Sequence, residues 1–311
     1  MFSKVALIGA GFVGSGWAIV FARSGYSVKV FDEDKSKRST FIKTVEDCLA
    51  DLESNGLIEE GSNIIDKIKV SSSLEEAVME VSYVQESIFE EIKLKTDLMN
   101  YLDKIVTPDI VIASSSSGIT ASNFAKDVYY KNRFIVAHPV NPPYLIPLVE
   151  IVPSLWTSEE SIDFTYNLMN EVGQKPIRIN KEIDGFILNR LQGALLNEAW
   201  ALYRDGYASL DDIDKTISEG LGMRWSFMGP FETIDLNAPE GISDYANRLG
   251  DLYFSVAKSR DKPLQWDQEI IQKVERERRA TLPKNKLKDK QRWRDNFLMK
   301  IKKFKLQHMK R

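Results

Sequence analysis

Three glycines in the stretch VALIGAGFVGSGWA, Gly9, Gly11 and Gly14, constrain what this chain can fold into more than any other feature. They follow KVALI at residues 4–8, an apolar run that reads as a buried strand. They open GFVGSGWAIVFARSG, which reads as a helix closed by Gly25. A strand that turns into a helix through Gly-x-Gly-x-x-Gly starts a βαβ unit, and there the glycines have separate duties. Gly9 permits the tight turn, Gly11 lets the backbone approach a pyrophosphate, and Gly14 lets the helix pack closely on the strand. The N–H groups around Phe12 and Val13 then face an anion at the helix N-terminus. YSVKVFD reads as the second strand, with Asp32 at its end, eighteen residues past Gly14. A carboxylate there accepts both hydroxyls of a ribose and repels a 2′-phosphate. Glu33 and Asp34 stand beside it with no arginine among them, so the pattern predicts NAD rather than NADP.

Further β-like runs, SYVQE, DIVIASSS, RFIVAHP and PIRIN, are separated by helical patterns such as EEIKLKTDLMNYLDKI. Strands alternating with helices predict an α/β fold with a doubly wound, mostly parallel Rossmann-type sheet. From Ile183 the strands stop. DGFILNRLQGALLNEAWALYRDG places Leu188, Leu191, Leu195 and Leu202 on one helical face, and SLDDIDKTISEGLG starts a helix at a Ser-x-x-Asp signal. The expected boundary therefore falls near residue 183, between an NAD-binding domain over 1–183 and an all-helical domain over 184–311. A chain of 311 residues is long enough for two cores.

Composition narrows the function classes. A net charge of −3 with mixed charges suits a globular protein with a small-molecule substrate, and no apolar run approaches a membrane span of about 18–20 residues. The amino terminus enters a patterned strand at once and lacks the features of a signal peptide. The single cysteine, Cys48, cannot form an internal disulfide and reads as a packed thiol within a helix, which points to the cytosol. No Cys/His cluster has metal-ligand spacing. The tail from Lys284 to Arg311 carries twelve Lys/Arg against two Asp, a composition compatible with nucleic acid or membrane binding. Trp293, Phe297, Ile301 and Phe304 form one helical stripe in it, however, so it is expected to dock as a helix with a solvated basic face.

His138, in RFIVAHPVNPPYLIPLVEIVP, is the only histidine outside that tail, and Glu150 follows it by twelve residues. Ligands of a doubly wound sheet bind beyond the carboxyl ends of its strands, where DIVIASSSSG and RFIVAHP deliver Ser117 and His138. Oxidising an alcohol requires a base for the hydroxyl proton while hydride leaves the carbon. Histidine suits that task, and a carboxylate on its second nitrogen fixes the tautomer. Taken alone, a histidine near a strand end is more often structural. Beside a nicotinamide site it reads as the base, with Glu150 as its orienter.

With GAGFVGSGWA, YVQESIFEEIKLK, SSSSG, IVAHPVNPPYLIPLVEIVP, DGFILNRLQ, SEGLGMRWSFMGPFETIDLNAPEG and KQRWRD in view, the chain resembles the 3-hydroxyacyl-CoA dehydrogenase family. Within it, the resemblance is greatest to the lambda-crystallin/L-gulonate 3-dehydrogenase branch. It runs nearly end to end and is weakest over residues 34–80 and 253–288. The resemblance implies that His138 is the catalytic base and Glu150 its partner. It implies that Ser117 and Asn189 hydrogen-bond the reacting oxygen and the histidine, and that Asn141 lines the nicotinamide pocket. Glu90 and Lys95 correspond to further NAD-contacting positions, although their own pattern reads as a solvated helix start. Homodimers built through the helical domain are also implied.

Arg224, between GLGM and Trp225, can hold a substrate carboxylate through two parallel hydrogen bonds. A sugar acid needs such a partner, an acyl-CoA thioester does not, and the resemblance places this arginine near the active site. Its bland alternative is a surface or interface salt bridge. The chain departs from the branch at SSSSGITAS and at Leu145, where a second tyrosine is common; the leucine is expected to make the substrate pocket more apolar. NAD-dependent oxidation of L-gulonate at its 3-hydroxyl is the leading expectation. Carnitine, with Trp225 and Tyr144 around its ammonium, 3-hydroxybutyrate or a 3-hydroxyacyl-CoA are alternatives. So is a crystallin-like NAD-binding protein without turnover.

Overall fold

A computed structural model describes residues 4–260 and 265–309; the start of the MFSKV stretch and the last two basic residues of the tail lie outside them. Eight strands form one sheet: β1 (Lys4–Ile8), β2 (Ser27–Phe31), β3 (Ile68–Val70), β4 (Tyr83–Glu86), β5 (Val111–Ser114), β6 (Phe134–Pro139), β7 (Leu148–Pro153) and β8 (Lys175–Arg178). Their order is β3-β2-β1-β4-β5-β6-β7-β8, and every pairing is parallel except β6 with β7. The order reverses between β1 and β4, which makes the crevice beyond their carboxyl ends the ligand position of such a sheet. The doubly wound Rossmann-type sheet is therefore present, and among the described residues no strand follows β8.

Alternation along β1 shows why both faces are covered. Val5 and Leu7 join one core with Trp17 and Phe21 of α1 (Phe12–Arg23) and Phe41 of α2 (Lys35–Ser54). Ala6 and Ile8 join a second core with Met99, Leu102 and Phe124. Successive side chains of a strand point to opposite faces, so a run that is apolar throughout demands helices on both. Two strands were hidden from the pattern. β3 is three residues long, and β7 lies behind Pro142, Pro143 and Pro147 with a glutamate at its centre.

Contacts divide the chain into two compact units. One runs to Arg190 and takes in the segment from Lys288 onward; the other is Leu191–Leu287. This corrects the expected division in one respect, because the C-terminal helix Leu287–His308 packs with the sheet-bearing unit. It also docks by a different face. Trp293, Phe297, Ile301 and Phe304 are 49%, 47%, 45% and 60% exposed, whereas Met299 is buried in the core beside Leu298. Lys302 completes the docked face, and its Nζ donates to the Tyr144 carbonyl at 2.5 Å. A lysine whose stem is covered counts as polar in any sequence pattern, so the pattern selected the wrong stripe.

The second unit is helical. Ser209 caps its Leu210–Lys215 helix by accepting from the Asp212 N–H, as the Ser-x-x-Asp signal predicts. Much of its apolar surface is exposed, including Phe231, Phe254 and Leu236. No helix among the described residues is long and apolar enough to cross a membrane.

Candidate active site

The glycine turn is built as the spacing requires. Gly9 has φ +115°, a left-handed conformation, and a Cβ on it would stand 2.5 Å from the Ser87 carbonyl oxygen at the end of β4. A Cβ on Gly14 would stand 1.9 Å from the Gly9 oxygen, so helix and turn can meet only through a glycine. Gly11 is different: a Cβ there meets nothing within 4 Å. Open space therefore lies in front of Gly11, where the first N–H groups of α1, including those of Phe12 and Val13, lack intrahelical acceptors. Phe12 is 84% exposed beside it. A pyrophosphate fits that cradle.

Asp32 closes the turn from β2. Its carboxylate accepts from the Ala10 N–H at 2.8 Å and the Asp34 N–H at 2.9 Å, with the Lys37 ammonium 3.8 Å away. No arginine stands beside Asp32 in sequence, but Arg38 folds back to it from α2. Its guanidinium donates to the carbonyls of Asp32 and Glu33 and covers the Phe31 ring. Gly16 is a feature sequence reasoning missed. Its Cβ would lie 2.5 Å from Pro143 Cδ, so α1 packs directly on the HPVNPP loop and brings exposed Asn141 toward the same end of the sheet.

His138 and Glu150 face each other across the antiparallel β6–β7 pair. His138 Nδ1 and Glu150 Oε2 are 2.7 Å apart, with both residues buried. Glu150 Oε1 accepts from the N–H groups of Ile187 and Leu188, each at 2.9 Å. Burial pushes the Glu150 carboxyl up, but the His138 bond and the two backbone donors outweigh it and hold the group below its ordinary value. An ionised Glu150 accepts Nδ1–H, which leaves Nε2 as the histidine's free basic nitrogen. Phe186 packs its ring 5.6 Å from the imidazole, and its φ of +51° turns the chain so that the next two N–H groups aim at Glu150. No sequence signal marked that turn beyond Gly185 beside it.

Ser117 leaves the sheet at the same edge: Ser114 pairs with Val136, so Ser117 and His138 follow their strands outward together. The Ser117 carbonyl accepts from Asn189 Nδ2 at 2.7 Å, which joins the two residues through the main chain. Ser117 N–H donates to Glu90 Oε1 at 2.9 Å, as do the N–H groups of Gly118 at 2.9 Å and Ile119 at 3.2 Å. Burial pushes the Glu90 carboxyl up, yet the Ser116 hydroxyl, these N–H donors and Lys95 hold it low overall. Glu90 thus shapes the serine loop. Lys95 is no solvated helix residue: it is 1% exposed, with Nζ 2.9 Å and 3.0 Å from the two oxygens of buried Glu86 and 3.5 Å from Glu90. Glu86, the missed member, also accepts from Ser114 Oγ and the Ile88 N–H, both at 2.6 Å.

Leu145 is buried in the core, and Tyr144 packs with Cys48 and lines a cavity beside Arg23 and Lys302. Arg224 is exposed in the helix Gly222–Trp225 of the second unit. Among the described residues no group of His, Cys, Asp or Glu could hold a metal ion.

A glycine cradle at the switch point, with a buried histidine–carboxylate pair at the same sheet edge, defines a nucleotide-dependent dehydrogenase. The NAD-binding domain of 3-hydroxyacyl-CoA dehydrogenase matches residues 4–183 and the C-terminal domain of that enzyme matches 185–279. The chain belongs to the 3-hydroxyacyl-CoA dehydrogenase family, in its lambda-crystallin branch, and its cofactor is NAD. It is 38% identical to lambda-crystallin of Oryctolagus cuniculus over 308 residues, covering 97% of this chain and 96% of that one. It is 39% identical to an L-carnitine dehydrogenase of Streptomyces griseus over 238 residues, 76% of this chain and 70% of that one. The fold matches that of a 5-formyl-3-hydroxy-2-methylpyridine 4-carboxylic acid 5-dehydrogenase with a TM-score of 0.82 at 24% identity, covering 98% of each chain.

The glycines make separable predictions. Gly14→Ala is expected to destabilise the protein strongly, because the Gly9 oxygen has nowhere to go. Gly11→Ala should stay within about 1 kcal/mol of the parent and weaken NAD binding by tenfold or more. Urea unfolding beside an NAD titration separates the two; equal NAD affinity in Gly11→Ala would move the pyrophosphate elsewhere.

Proposed function

We propose that the protein oxidises the 3-hydroxyl of L-gulonate to 3-dehydro-L-gulonate. NAD, when bound, supplies the hydride acceptor. The cradle of Gly9, Gly11, Phe12, Val13 and Gly14 holds its pyrophosphate, Asp32 its adenosine ribose, and Asn141 borders the nicotinamide. His138 Nε2 takes the hydroxyl proton, and Glu150 stabilises the imidazolium that results. Ser117 presents its exposed side chain to the reacting oxygen, with its main chain held by Asn189 and Glu90. Glu90 and Lys95 border the nicotinamide side through that loop. The observation that carries this chemistry is the buried pair at 2.7 Å, whose outer nitrogen is left as the base.

The substrate assignment rests on the resemblance to the gulonate branch and on Arg224 as partner for the sugar-acid carboxylate. Likeness to L-carnitine dehydrogenase supports a second reading, but one expected ammonium contact is lost. Arg23 and Lys302 both donate to the Tyr144 carbonyl, so cations already occupy that neighbourhood. The apolar surface of the helical unit supports a homodimer, and the lone Cys48 fits a reducing cytosol.

NADH formation with L-gulonate, carnitine, 3-hydroxybutyrate and 3-hydroxybutyryl-CoA tests the reading. Gulonate is expected to give the highest kcat/KM, with KM raised at least tenfold in Arg224→Met, and light scattering should report a dimer mass. A preference for carnitine, or an unchanged KM in the variant, would move the substrate and release Arg224. NAD binding without turnover of any of the four would favour the crystallin-like role.

A further inference from the structure

The far end of α1 borders a cavity that this chemistry leaves unused. Arg23 lies eleven residues beyond Phe12, about 16 Å along the helix from the nucleotide cradle. The cavity has a volume of about 320 Å³ and is lined by Arg23, Leu52, Leu57, Ile58, Val172 and Lys302, among others. Its size is at the lower end of small-molecule sites.

Two of its lining groups are cations that share one neutral acceptor. Arg23 Nη1 and Lys302 Nζ donate to a single carbonyl, that of Tyr144, at 3.2 Å and 2.5 Å. Among the described residues neither cation has a carboxylate partner within salt-bridge distance. Burial, helped by the Arg23 charge, pushes the Lys302 ammonium down to about 7, and burial lowers Arg23 as well. Glu171 brings one carboxylate to the lining, beyond salt-bridge distance of either cation, and its Oε1 accepts from the Tyr26 hydroxyl at 2.7 Å. Nearby titratable groups outside the lining are Cys48, Asp47 and Asp51 of α2, and Asp295 and Lys303 of the C-terminal helix, whose Lys303 donates to the Asn55 carbonyl. Burial raises Tyr26, Tyr144 and Cys48, so these three stay neutral near pH 7. Two partly desolvated cations that share a neutral acceptor, with no carboxylate at salt-bridge distance, gain from an anion placed between them.

We propose that this cavity binds a small organic monoanion, a carboxylate on a short apolar chain, seated between Arg23 and Lys302 with its chain against Leu52, Leu57, Ile58 and Val172. The apolar wall favours such a ligand over inorganic phosphate. The site is independent of the substrate assignment. It touches the loop that links His138 to Glu150, because an anion there competes for the donors that hold Tyr144.

Calorimetric titration of the NAD-saturated protein with hexanoate, and separately with inorganic phosphate, tests the proposal. Hexanoate should bind more tightly than phosphate. The anion selects protonated Lys302, so its Kd should rise about tenfold per pH unit above pH 7, with proton uptake seen in buffers of different ionisation heat. Lys302→Arg should keep binding and lose both the pH slope and the proton uptake. Leu57→Trp, which fills the cavity, should abolish binding. No saturable binding to the parent protein would overturn the site. So would a pH slope that survives Lys302→Arg, since active-site binding would be indifferent to that change; the slope decides even if Leu57→Trp fails to fold.

Discussion

His138→Ala is expected to lower kcat for hydroxy-acid oxidation by about 10²–10⁴-fold, the usual contribution of a positioned general base. NAD affinity should stay within a factor of two or so, because the glycine cradle and Asp32 lie on other strands. Removing the imidazole also strands Glu150 Oε2 in a buried site, at about 1–3 kcal/mol of stability or more for a charged acceptor. His138→Gln separates the two effects, since its amide can still donate to Glu150. Activity should remain lost while stability largely returns. Glu150→Gln should lose activity by a comparable factor with His138 intact, because the amide no longer enforces the tautomer with Nε2 free. Steady-state rates and urea unfolding read both quantities. A kcat within tenfold of the parent in His138→Ala would place the base elsewhere.

Lys95→Met should cost the protein much of its stability. Lys95 and Glu86 have side chains 1% and 0% exposed, and removing one partner leaves a carboxylate buried without its counter-charge. Breaking such a pair costs about 3–5 kcal/mol. Pairing Lys95→Met with Glu86→Gln should recover much of the loss, since the amide oxygen can still accept the Ile88 N–H and no charge is stranded. A urea series on the single and double variants measures the difference. A single-variant loss below about 1 kcal/mol would mean that water reaches the pair. The same substitution should disturb catalysis indirectly: Lys95 also lies beside Glu90, whose Oε1 collects three N–H groups of the serine loop.

What the sequence determined by itself was local. A strand, a glycine turn and a helix follow from residue order, because the tight turn and the close helix contact leave no room for a Cβ at Gly9 or Gly14. Asp32 follows from the length of one helix and one strand. His138 and Glu150 were legible as candidates by scarcity, one histidine outside the tail beside an apolar-flanked glutamate.

Whether they meet was decided by β7, an antiparallel strand the prolines concealed, which sets Glu150 opposite His138 in register. The burial of Lys95, the nest around Glu90 and the seat of Tyr144 were likewise tertiary outcomes. So was the choice of docked face on the last helix, where Met299 and Lys302 lie inward and the aromatic stripe outward. Each depends on which groups distant in sequence come to share a desolvated space. Periodicity reports the faces an element offers; only packing selects the face that is covered, and a charge is tolerated there when its partner arrives from another strand.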